Sequence, residues 1–200
     1  MVFSPFAPPD PWRPTRRMLM ASALGLVTPS AIADELPHLG AGRYQFVRFE
    51  PRPIMSPLEL RDLRGRPATL DPSGRNAHLL YVRATWCPSF PVELPRLARA
   101  QEAVARLGVK VTTVSIDTRP GADVMAYLRR HEATGLRVLH DPDASTLSAE
   151  RPDGTSSPFH RWSMPLTFAI DRTGRVRGYI AGGIDWLKPD GSAFLEALNG

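Results

Sequence analysis

Two hundred residues leave room for one domain with a proper core and hardly for a second. An apolar content of 42% against 22% charged excludes disorder as the default. The formal charge of +5 is scattered along the chain on 23 Arg and two Lys, which excludes nucleic acid as the implied partner, and a single cysteine, Cys87, excludes an internal disulfide.

TRRMLM (15–20) places two arginines just ahead of the weakly apolar run MLMASALGLVTPSAIA. That run is shorter than the roughly 20 residues that span a bilayer. It ends in Ala31-Ile32-Ala33, with small residues where a signal peptidase needs them. Residues 1–33 therefore read as a twin-arginine export signal, cleaved before Asp34, which predicts a periplasmic protein; an uncleaved membrane anchor is the alternative. An export route that carries folded chains suits a domain with no disulfide to wait for. Removing the segment lowers the formal charge to +3.

Residues 34–57 predict an extended, β-rich lead-in that includes the alternating run RYQFVRF (43–49), and 58–200 the domain proper. LEL (58–60) and GRPATL (65–70) read as short strands around a turn, and HLLYVRA, from His78, as a buried strand. The spacing of Val92, Leu94, Leu97, Ala100, Val104 and Leu107 predicts a helix over 89–107, stopped by Gly108. VKVTTVSID (109–117) is a β-branched strand. ADVMAYLRRHEA (122–133) is a helix with Val124, Tyr127 and Leu128 on one face. RVLHD (137–141) predicts a short strand, ASTLSAE a weak helix, and 151–164 a loop. PLTFAID and RVRGYIA read as a hairpin across Thr173-Gly174, and SAFLEAL (192–198) as the closing helix. The order β-α-β-α, hairpin, α predicts an α/β fold with a mixed sheet. It places Cys87 at the carboxyl end of the first core strand, where such sheets carry their sites.

LLYVRATWCPSFPVELP (79–95), VTTVSID (111–117), SMPLTFAIDRTGRV (163–176) and GGIDWLKPDGSAFLEAL (182–198) stand in the order and at the spacings of the TlpA-like branch of the thioredoxin superfamily, which the chain resembles over roughly 58–198. The resemblance implies a thioredoxin fold: a mixed central β-sheet flanked by α-helices, with a cysteine at the start of the first core helix. It implies a proline opposite that cysteine, here Pro165, preceded by a cis bond from Met164. The implied function is thiol-disulfide exchange in the periplasm, in cytochrome or oxidase assembly or in disulfide repair, with no cofactor. The implied partners are exported proteins bearing thiols or disulfides, and an external thiol or a membrane electron donor. The family motif W-C-x-x-C becomes Trp86-Cys87-Pro88-Ser89-Phe90, so the attacking thiol is kept and Phe90 stands for the resolving one. Glu93 matches a glutamate that cytochrome-maturation reductases of this branch keep near their thiols. Arg83 replaces the usual aromatic, and Tyr81 stands where thioredoxin itself is acidic.

A thiol in the first turn of a helix faces unpaired N–H groups and the positive end of the dipole, both of which favour thiolate. Pro88 as first helical residue gives up an N–H that has no partner there. Pro91 is expected to distort the opening turn, and Arg83 to reach solvent at the sheet's end. Cys87 then attacks a disulfide and holds the partner as a mixed disulfide, which Phe90 cannot resolve, so release needs a second thiol from outside. Glu93 in a partly apolar setting is a proton shuttle, and Trp86, Met164 and Pro165 form the substrate-binding surface. Three other readings use the same residues. One is a redox-inactive binding module on this groove, with Cys87 a small core hydrophobe. A second is a one-cysteine peroxidase, although Ala84 and Leu80 stand where peroxiredoxins place Thr and Pro. The third is a copper-handling protein using Cys87 with His160 and Met164. His38, His78, His131 and His140 have no zinc spacing.

Overall fold

A computed structural model describes residues 35–145 and 164–200. The export signal, the predicted weak helix from residue 146 on, and the 151–164 loop with His160 lie outside the described residues, apart from Met164. In chain order the elements are β1 (Val47–Arg48), β2 (Leu58–Asp62), β3 (Pro67–Leu70), β4 (Ala77–Arg83), α1 (Phe90–Arg106), β5 (Val109–Ser115), α2 (Gly121–Arg130), β6 (Val138–His140), β7 (Leu166–Ile170), β8 (Val176–Ala181) and α3 (Pro189–Asn199).

All the strands join one mixed sheet in the order β1-β8-β7-β4-β5-β6-β2-β3. β4 runs parallel to β5, and β5 to β6; every other pairing is antiparallel. Centrality follows from composition: all seven residues of β4 are buried, as expected of a strand covered on both faces. Alternate side chains divide between two cores. Leu79 and Tyr81 pack with Leu94 and Leu97 of α1 and with Phe194 and Leu195 of α3. Leu80 and Val82 join Val114, Leu166 and Phe168 on the other side.

Helix α1 forms where the periodicity predicts, with Phe90, Leu94, Leu97, Ala100 and Val104 inward. Val92 is the exception: it is 58% exposed, because it sits on the opposite side of the helix from that stripe. Gly108, at φ +75°, ends the element in a conformation that L-residues avoid. The β7–β8 hairpin closes on Asp171, whose Oδ1 accepts bonds from the Thr173 N–H and hydroxyl and from the Arg175 N–H.

The alternating run 43–49 yields little strand. Gly42–Tyr44 forms a 3-10 turn, and only Val47 and Arg48 pair, with the β8 edge. Pro51 and Pro53 follow at once, and neither has an N–H to extend the ladder. The turn nevertheless lies against β8, where Gly182 leaves space that a side chain would deny to the Tyr44 ring. Among the described residues no helix is long and apolar enough to cross a membrane.

Candidate functional site

Strand β4 ends at Arg83, and the chain makes a turn of its own before α1. The Cys87 N–H donates to the Ala84 carbonyl (3.0 Å) and the Phe90 N–H to the Cys87 carbonyl (3.1 Å). Cys87 therefore precedes α1 instead of opening it, which corrects the expected placement in the first helical turn. The opening N–H groups are already committed. Phe90 donates to Cys87, Pro91 has no N–H, and Val92 and Glu93 both donate to the Ser89 carbonyl (3.2 and 3.1 Å). Pro88 lies ahead of the helix. Pro91 takes one of its first two positions, where it fits without distortion.

The Cys87 side chain is 3% exposed, with Sγ 3.7 Å from the Ser89 hydroxyl. It lines a cleft of about 650 Å³. Cys87, Ser89 and Glu93 form one wall, Met164 and Pro165 enter from the start of β7, and Arg43, Tyr44, Gly182 and Gly183 close the remainder. The Met164–Pro165 peptide bond is cis, and the Pro165 carbonyl accepts the Gly182 N–H at 2.9 Å. Four of the five site residues read from the sequence thus share one cleft. Trp86 does not line it and is 63% exposed.

Arg83 does not reach solvent. As an odd-numbered residue of β4 it points to the same side as Leu79 and Tyr81, toward α1. Its guanidinium is 1% exposed and forms an ion pair with Glu93. It lies over the Tyr81 ring at 4.6 Å and faces the Phe90 ring at 6.0 Å. Burial lowers its pKa, while Glu93, and Tyr81 and Cys87 when they are ionised, oppose that shift. Tyr81 is buried too. Its hydroxyl accepts the Trp186 indole N–H, and burial raises its pKa well above the ordinary phenol value. Phe90 is 2% exposed and stacks on Tyr127, with ring centroids 5.6 Å apart.

Behind the turn stands a buried carboxylate that sequence reasoning missed. Asp117 accepts the Thr85 N–H (2.9 Å), the Thr85 hydroxyl (2.5 Å) and the Ser115 hydroxyl (2.6 Å), while His140 Nε2 contacts its carbonyl oxygen (2.7 Å). Thr85 is two residues from Cys87, so this network fixes the turn that carries the thiol. The signal available was Ser-x-Asp at the end of a β-branched strand. Among the described residues no three His, Cys, Asp or Glu side chains converge as a metal site.

Comparison with known proteins fits this geometry. Residues 54–179 match the AhpC/TSA family. The thiol:disulfide interchange protein DsbE of Pseudomonas aeruginosa is 30% identical over 156 residues, which cover 76% of this chain and 72% of that protein. Among solved structures, a thiol:disulfide interchange protein of Chlorobium tepidum TLS superposes with a TM-score of 0.57 at 20% identity, over 74% of this chain and 97% of its own. The pneumococcal exposed lipoprotein thioredoxin of Streptococcus pneumoniae TIGR4 gives 0.54 at 21% identity, over 72% and 98%. The fold they share with this chain is the thioredoxin fold.

Proposed function

The chain belongs to the AhpC/TSA family, within it to the TlpA-like thioredoxin-like branch, and from that premise we propose that it carries out thiol-disulfide exchange through Cys87 alone, in the periplasm. The observation that carries the reading is the position of the chain's one sulfhydryl: in the wall of a cleft whose facing wall holds Met164 and Pro165.

The Cys87 thiolate attacks one sulfur of a partner disulfide, the S–S bond breaks, and the other partner sulfur leaves as thiolate and takes up a proton. An S–S bond now joins Cys87 to the partner. With Phe90 where the family keeps its resolving thiol, release follows attack by an external thiol, which leaves in a disulfide and returns Cys87 reduced. Glu93 is the proton relay at the cleft, Met164 and Pro165 the backbone edge against which an extended partner segment docks, and Trp86 its outer apolar contact. Partners are exported proteins with thiols or disulfides.

A purified chain mixed with a disulfide-bonded peptide should give a one-to-one covalent adduct at Cys87 in intact-mass spectra, stable until a small thiol is added. No adduct would overturn the reading. It would favour a redox-inactive binding module on the same cleft, to which the 3% exposure of Cys87 is suited. Export is tested separately: changing Arg16 and Arg17 to Lys should hold the chain in the cytoplasm, and continued export would overturn the twin-arginine assignment.

A further inference from the structure

With Cys87 taken as the exchanging thiol, we propose that Arg83 is a positioning residue for this reaction: a buried cation that supplies, from beneath the cleft, the positive charge that the helix terminus does not. Three observations carry this. The N–H groups of the opening turn of α1 are committed to the Cys87 and Ser89 carbonyls or absent at Pro91, so none of them is left to face a sulfur anion. A buried cation does stand just behind the wall: Arg83, whose ion-pair partner Glu93 lines the cleft together with Cys87. Its guanidinium is 1% exposed, paired with cleft-lining Glu93, and close enough to Cys87 to interact with its charge. Finally, that pairing leaves the cation incompletely satisfied, since Arg83 Nε is buried and has no hydrogen-bond partner among the described residues. A buried Arg present only to balance Glu93 should have its remaining donors bonded. This one is held between the Tyr81 and Phe90 rings, whose faces favour the charge without neutralising it.

Other charged and titratable groups face Cys87 from each neighbouring element. Glu93 comes from α1, Tyr127 from α2, Arg43 from the 3-10 turn, and Asp117 stands behind Thr85. Glu93 and Arg83 oppose one another in sign at the sulfur, and that opposition makes the inference testable. A cation within about 4–6 Å shifts a titration by roughly 1–3 pH units, or tenfold and more in the fraction ionised at a fixed pH below the midpoint.

The test is iodoacetamide alkylation of the purified chain between about pH 5 and 10, a range that spans the thiol's ordinary titration. Cys87 is the sole cysteine, so every adduct reports on it. Arg83→Met should slow alkylation at pH 7 about tenfold or more and move the profile to higher pH. Arg83→Lys should restore part of the rate, and Glu93→Gln should accelerate alkylation and move the profile the other way. A merely structural pair would shift both single variants in the same direction as the cleft loosens. Alkylation of Arg83→Met at the wild-type rate, or slowing in Glu93→Gln, overturns the inference. If Arg83→Met does not fold, Glu93→Gln decides alone. A wild-type thiol that resists alkylation across the range sinks the exchange reading itself, whereas a reactive wild type with an unchanged Arg83→Met sinks the role of Arg83 alone.

Discussion

Phe90→Cys places a second thiol three residues after the first, and the structure gives both its cost and its gain. The ring is 2% exposed, stacked on Tyr127 with centroids 5.6 Å apart and planes 9° from parallel. Truncating a core Phe to Ala costs roughly 3–5 kcal/mol. Cysteine refills part of the space with a sulfur, so the reduced variant should lose about 3 kcal/mol, a large share of the roughly 5–15 kcal/mol typical of a domain. The urea midpoint should therefore fall clearly at unchanged slope. The gain is kinetic. A thiol one turn from the mixed disulfide attacks it intramolecularly, at an effective concentration no external thiol reaches. In a single-turnover reaction of the reduced protein with a disulfide-bonded peptide and no added thiol, the wild type should stop at the adduct, whereas the variant should release the reduced peptide and end with an internal disulfide between its two thiols. A folded variant that still forms the adduct but never releases it would refute the assignment of position 90 to the resolving thiol. A variant as stable as wild type would refute the packing account.

Three further outcomes are expected. Burial lowers the His78 pKa from 6.5 to about 4, with Lys110 and Arg137 adding repulsion. Between those values the unfolded chain binds the proton first, so stability is full above pH 6.5 and declines toward pH 4 by about 3 kcal/mol. Urea midpoints at both ends should show the fall, and His78→Gln should flatten it; an equal fall in that variant would exclude His78 as the source. Asp117→Asn weakens charge-assisted bonds to Thr85 and Ser115, worth about 1.5–3 kcal/mol for one such bond. It should lower the midpoint and slow adduct formation at Cys87, and adduct formation at the wild-type rate would show that the network does not hold the turn. Gly183→Ala would place a Cβ 2.8 Å from Glu93 Cδ. Displacing that carboxylate should change the Cys87 alkylation rate at little cost in stability, and an unchanged rate would separate Glu93 from the thiol.

What could be read from the sequence was what local pattern determines. The β4 run announced a strand buried on both faces, the 89–107 periodicity announced α1, and Gly108 its end. Thr173-Gly174 between two apolar runs announced the β7–β8 hairpin. The motifs around Cys87, Met164 and Pro165 selected the thioredoxin fold and brought together four of five site residues. What could not be read was set by groups distant in sequence. Arg83 is a charged residue at a strand end, and only strand parity together with the position of Glu93 on the packed helix shows that it turns inward. Counting Cys87 and Pro88 into the first turn, although the periodic stretch begins at 89, makes Pro91 look like an interior proline and Cys87 like a helical residue. Thr85 and Asp117 are 32 residues apart, and neither is unusual where it stands.

Phe90 and Arg83 are two parts of one packing solution. The ring at position 90 forms one side of the slot that holds the guanidinium, with Tyr81 on the other and Glu93 at the fork. A small residue at 90 would open that slot, and water entering it would weaken every charge interaction with the sulfur by raising the local dielectric. In a dithiol site the second sulfur releases the partner intramolecularly. In a site with one thiol, a fixed cation beneath the sulfur favours the thiolate that attacks. Here Phe90 shields that charge from water.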